Sequence, residues 1–112
     1  TAVAALANVF PADPPRFLAR TPHGHHDTAR LEADLRAAGF RDVQIEAVSF
    51  PSKAESARTA AIALCQGTPM RGEIEARGSL AEATAHVEQA LARRFGTGPI
   101  EGAMRAFVVT AR

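Results

Sequence analysis

His25–Phe50, HHDTARLEADLRAAGFRDVQIEAVSF, reads as a helix, a sharp stop and a strand. Asp27 is placed as an N-cap, where a carboxylate accepts from the free N–H groups of the first turn. Leu31, Leu35 and Ala38 recur at helical spacing and define one apolar stripe. Gly39 can take the left-handed conformation that ends a helix at little cost, and Phe40 stands where a Schellman motif folds an apolar residue back on Leu35. After Arg41 and Asp42 the period changes to two: Val43, Ile45 and Ala47 face one way, Gln44, Glu46 and Val48 the other. The rest of the chain must cover this strand or pair with it.

Pro51 is expected to break the strand, and Ser52 with Glu55 forms an S-x-x-E capping box that starts an Ala-rich helix running to about Gln66. Gly67 ends it. Thr68-Pro69 opens a short helix with Thr as N-cap and Pro at the first helical position, and Gly78 closes it. A second capping box, Ser79 and Glu82, precedes a helix whose Leu80, Ala83, Val87, Leu91 and Phe95 form a continuous stripe. Gly96–Pro99 turns the chain. Met104–Thr110 is the second strand, and its run Ala106-Phe107-Val108-Val109 suits a strand covered on both faces. Upstream, Val3, Leu6 and Phe10 share one face of a first helix, Pro11–Pro15 makes a rigid loop, and Phe17 and Leu18 anchor it. No capping signal precedes the first helix, which points to a piece of a longer protein. About five helices and two antiparallel strands result, an α+β chain as it stands, in a single domain over residues 1–112.

Composition sets limits on function. With 112 residues and 46% hydrophobic content the chain can bury one small core, but aromatics are few. A net charge of +1 gives no electrostatic reason to expect a nucleic-acid or membrane partner. No apolar run approaches the roughly 20 residues of a membrane helix, and no signal peptide opens the sequence. The single cysteine, Cys65, excludes an internal disulfide and fits a reducing, cytoplasmic setting.

Four groups of residues have chemical potential. His23-Gly24-His25-His26-Asp27 holds metal-type ligands, but its spacing matches no defined site and no Cys/His cluster follows downstream, so no metal is expected. Cys65 lies near a helix C-terminus, where the dipole disfavours a thiolate, and reads as a structural thiol. The acid pairs Glu32/Asp34, Glu73/Glu75 and Glu82/Glu88 fall mostly on polar helix faces. No nucleophile elbow and no phosphate-binding loop is present.

LEADLRAAGFRDVQIEAVSF, together with TPHGHHD, CQGTP and the closing VVTAR, resembles the C-terminal portion of class I S-adenosylmethionine-dependent methyltransferases of the ubiquinone/menaquinone type. The resemblance covers most of the chain and implies an α/β fragment. The two strands would be the last two of a Rossmann-like sheet, paired at one end with the last strand inserted beside the fifth. It implies a small-molecule methyl acceptor and a helix–turn–helix lid between the last two strands. Phe17, His23, His25, His26, Gln66 and Thr68 are the acceptor-binding residues it implies, with a neutral imidazole acting as base or hydrogen-bond partner. The same residues also have a plainer reading, in which Asp27 is only an N-cap and the histidines are solvated. The family binds S-adenosylmethionine at a glycine-rich turn after its first strand, with an acid on the ribose. This sequence has no such turn, so no cofactor binding and no catalysis is expected of the chain alone. A stand-alone α+β ligand-binding or dimerisation module is the competing class. With the last strand lacking a neighbour, a homodimer through its edge or through a helical face is expected.

Overall fold

The computed structural model describes residues 1–112. Helices α1 (Ala2–Val9), α2 (Phe17–Arg20) and α3 (Thr28–Ala37) precede strand β1 (Val43–Ala54). Helices α4 (Ala57–Gln66), α5 (Met70–Glu75) and α6 (Leu80–Phe95) then lead to strand β2 (Ile100–Ala111). The fold is α+β, with six helices and one two-stranded antiparallel sheet.

The opening stretch folds as its residues dictate. Asp27 Oδ1 accepts from the N–H groups of Ala29 at 3.0 Å and Arg30 at 3.3 Å. Gly39 has φ +103°, the Phe40 N–H reaches the Leu35 carbonyl at 3.2 Å, and the Gly39 N–H reaches the Arg36 carbonyl at 3.0 Å. That pair of bonds is the Schellman closure. Leu31 and Leu35 are half-buried against the sheet, while Ala38 stays exposed.

β1 does not stop at Pro51. Asp42 and Arg112 exchange both backbone hydrogen bonds, at 2.9 and 3.1 Å, and the register runs from Val43↔Ala111 to Ala54↔Ile100. Antiparallel pairs alternate between bonded and non-bonded, so the bonded pairs fall at even positions of β1. Pro51, opposite Ala103, occupies a non-bonded pair. The N–H it lacks would have pointed off the outer edge, the one place where a strand tolerates proline. Ser52 therefore lies within the strand, and Ser56 is the true cap of α4, its Oγ accepting from the Thr59 N–H at 3.1 Å. β2 likewise begins at Ile100, before Met104. In the second box Ser79 caps α6, its Oγ accepting from the Glu82 N–H at 3.2 Å.

The helices pack on one another rather than on the strand pair. Leu6, Ala61, Cys65, Met70, Ile74, Ala83 and Val87 are wholly buried, and every other member of their cluster also comes from a helix. The sheet is a ribbon that joins this core at its Ala54/Ile100 end, where Ile100 is buried. Only α3 lies along it, on the face of the half-buried Val43, Ile45, Phe107 and Ala111. Coverage of both β2 faces, expected from its apolar run, is not found. Phe50 is 57% exposed, Met104 53% and Val108 52%, because one short helix can shield only one face.

The sixth helix, α2, escaped the pattern because its cap is remote. Glu73 Oε2, from α5, accepts from the Arg16 N–H at 2.7 Å and the Phe17 N–H at 3.0 Å. Arg77 adds a bond from Nε to the Asp13 carbonyl at 2.7 Å and an ion pair to its carboxylate at 3.1 Å. Glu73 of α5 and Arg77 just after it thus hold the Asp13–Arg20 segment. Desolvation works to raise the Glu73 pKa, but the two N–H groups and the Arg20 and Arg77 charges outweigh it and hold the carboxyl below its ordinary value.

Two outcomes follow. Leu6→Ala should cost about 2–5 kcal/mol by leaving a cavity, whereas Val108→Thr on the open face should cost under about 0.5 kcal/mol; urea melts distinguish them. Glu73→Gln should destabilise by about 1–2 kcal/mol near neutral pH through weaker acceptance from the two N–H groups. Because the folded pKa of Glu73 is lowered, its contribution is complete above the unfolded pKa and is lost as pH falls through the folded value. The gap between wild type and variant should therefore close in acid. A gap of unchanged size at pH below the carboxylate range would refute this origin.

Candidate functional site

The Thr21–Asp27 connection is shaped at both ends. The His23 N–H is bonded to the Leu18 carbonyl at 3.0 Å, and Asp27 caps α3. Gly24 passes so near Arg20 that a Cβ would collide with its carbonyl oxygen, so no larger residue fits this turn. The connection is thereby laid over β2. An open cleft of about 360 Å³ results, lined by His23, His25, His26 and Leu31 on one side and by Arg105, Phe107 and Val109 on the other. His25 and His26 also wall a second cleft of about 440 Å³, shared with Asp27, Arg30 and Asp34.

The first cleft has no carboxylate in its lining. Arg105 forms no ion pair; its guanidinium stands 5.2 Å from the centroid of the Phe107 ring. A cation over a ring face is held there weakly, by about 0.5–1 kcal/mol when exposed. Its N–H groups have no acceptor within the chain and can donate to a ligand. The imidazoles supply further donors or acceptors near neutral pH, and Leu31, Phe107 and Val109 supply apolar surface. The arrangement can orient a small molecule with a flat apolar body and a polar, electron-rich end.

The three histidines are thus brought to one place, and the other candidates are not. Phe17 is half-buried against the helical core. Gln66 Nε2 donates to Thr84 Oγ1 at 3.2 Å beside a separate cavity of about 170 Å³. Thr68 Oγ1 donates to the Leu64 carbonyl at 2.8 Å and accepts from the Met70 N–H at 3.2 Å, so its hydroxyl closes the α4–α5 turn. No three His, Cys, Asp or Glu side chains converge closely enough to hold a metal ion.

The chain matches no protein-family model, no curated protein and no solved structure. No helix is long and apolar enough to cross a membrane.

Arg105 and Phe107 were missed from the sequence because β2 read as apolar on both faces. The available signal was the period-two spacing of Arg105, Phe107 and Val109, which places all three on the α3 side. Cys65 is wholly buried. Burial pushes its thiol pKa up, and a hydrogen bond with Thr84 offsets this only in part. The neutral thiol is a packing group in the helical core. It should resist a thiol-specific reagent in the folded protein at mildly alkaline pH and react fully in denaturant. Rapid stoichiometric labelling without denaturant would show an accessible thiolate instead.

Proposed function

We propose that this chain is the acceptor-side, C-terminal part of a class I S-adenosylmethionine-dependent methyltransferase acting on a small molecule, its two strands being the last two of a Rossmann-like sheet. The observation that carries this is the asymmetry of the ribbon's two edges. The odd-numbered residues of β2, Glu101 to Ala111, turn their backbone groups away from β1, and no backbone hydrogen bond reaches them from outside the ribbon. The outer edge of β1 carries Pro51 and Lys53, residue types that terminate a sheet. The β2 side therefore offers the longer uninterrupted edge for further strands. That agrees with a sheet in which the last strand is the inner one and the strand before it lies at the edge. The uncovered Phe50, Met104 and Val108 agree as well, since a sheet of this class is covered on both faces.

The residues present do not form a cradle for the cofactor. β1 is the one strand that leads into a helix, and its turn, Glu55-Ser56, has no glycine. The part left to this chain is to bind and orient the acceptor in the histidine cleft, and orientation is a large share of the rate in such displacements. We place the activity in the cytoplasm, where a lone thiol stays reduced. As a second reading, the same open edge and apolar face suit self-association of the 112-residue chain into a homodimer burying more than about 1,000 Å².

Calorimetry should detect no micromolar binding of S-adenosylmethionine to the 112-residue chain. A polypeptide extended by its upstream coding sequence should bind it, and the amides of Ala103, Arg105, Phe107 and Val109 should gain protection from hydrogen exchange. Micromolar binding by the short chain, or an extended protein with neither binding nor protection, would overturn the proposal. Sedimentation of the short chain at micromolar concentration tests the dimer, and a monomer would remove it.

A further inference from the structure

We infer that the cleft between the histidine connection and β2 binds a small aromatic carboxylate. The carboxylate would lie on the free N–H edge of Arg105, with His25 or His26 completing its hydrogen bonds, and the ring would lie against Leu31 and Val109 beside Phe107. Three observations converge on this ligand class. The lining holds one guanidinium and three imidazoles but no carboxylate, so an anion finds a cation, further N–H donors and no like charge in the lining. The Arg105 side chain makes neither an ion pair nor a hydrogen bond, and its guanidinium lies over the Phe107 ring with its fork of donors unengaged. The acidic side chains of the adjoining cleft are already engaged: Asp27 caps α3, and Asp34 pairs with Arg30 at 3.9 Å.

The apolar share of the lining sets the rest of the ligand. Leu31, Phe107 and Val109 offer a flat apolar wall, which a planar ring matches and an inorganic anion does not. A volume of about 360 Å³ holds one or two fused rings. Arg94 supplies an internal comparison. Its guanidinium stands 5.4 Å from the centroid of the Phe95 ring, but its Nη1 already donates to Thr1 Oγ1 at 2.9 Å. The cleft around Arg105 adds imidazoles and an unengaged fork. The binding site stands on this geometry alone; its assignment as the methyl-acceptor pocket rests on the function proposed above.

The test is titration of the chain with 2-naphthoate, followed by NMR of the His25, His26, Arg105 and Phe107 signals. Saturable shifts confined to these residues and their neighbours are expected. Arg105→Gln should weaken binding by at least about tenfold, with an unchanged melting temperature because Arg105 is exposed. Arg94→Gln should bind as wild type does, and neutral 2-naphthamide should bind at least about tenfold more weakly than the acid. Non-saturating or scattered shifts, an Arg105→Gln variant that binds normally, or equal binding of acid and amide would each overturn the inference. Naphthoate binding by an extended protein that fails to bind S-adenosylmethionine would remove the methyltransferase assignment and leave the anion site. Cofactor binding without naphthoate binding would remove the anion site alone.

Discussion

The pairing of β1 with β2 is the constraint from which most of the rest follows. Twelve consecutive residue pairs, without a bulge, lock the parity of both strands. The odd residues then share the face that α3 covers in part, the even residues share the opposite face, and the free backbone groups of each strand point to a fixed edge. A slip of one residue would turn Arg105 and Phe107 out of the cleft and set Met104 and Val108 under α3. The register is pinned at one end by the reciprocal Asp42–Arg112 bonds and at the other by the burial of Ile100. Between them Lys53 and Glu101 form a cross-strand ion pair at 3.8 Å, a minor addition at that exposure.

Cohesion is distributed unevenly. Apart from Pro15 in the α1–α2 loop, the wholly buried residues belong to α1, α4, α5 and α6, where alanines let the helices approach and Leu6, Met70, Ile74 and Val87 fill the space between them. The ribbon and α3 have no wholly buried side chain. Their order comes from backbone pairing and caps, which are individually modest. The cleft therefore sits on the lightly held half of the molecule. Its walls are tied to the firm half through α2, which Glu73 caps from α5, and through the α6–β2 turn.

Features encoded by near neighbours in sequence were legible. Asp27, Gly39 and Phe40 act within a few residues of one another, and their bonds formed as the spacing required. The stop of α4 at Gly67 and the cap of α6 at Ser79 belong to the same class. What the sequence concealed depended on distant partners. Pro51 reads as a stop unless the bonding parity of its strand is known, and that parity is set by Asp42 and Arg112. The short α2 needs Glu73, more than fifty residues away. The apolar run in β2 reports what a strand of that composition is suited to touch, and here its even residues Ala106 and Val108 are left exposed. The histidines were legible as candidates, but the companions that give them a ligand class, Arg105 and Phe107, arrive from the other end of the chain through the register.

The proline in β1 has one more consequence. Open-ended stacking of strands into a fibre needs a live edge on both sides of each added unit. This ribbon has one uninterrupted edge, along β2, and one broken at Pro51. Two copies that meet along β2 would present a Pro51 edge at each outer margin, so further growth meets a ladder that lacks a donor. Cross-β stacking by a chain with an uncovered apolar sheet face is in this way disfavoured, and the residue responsible is the one whose absent N–H leaves the strand itself undisturbed.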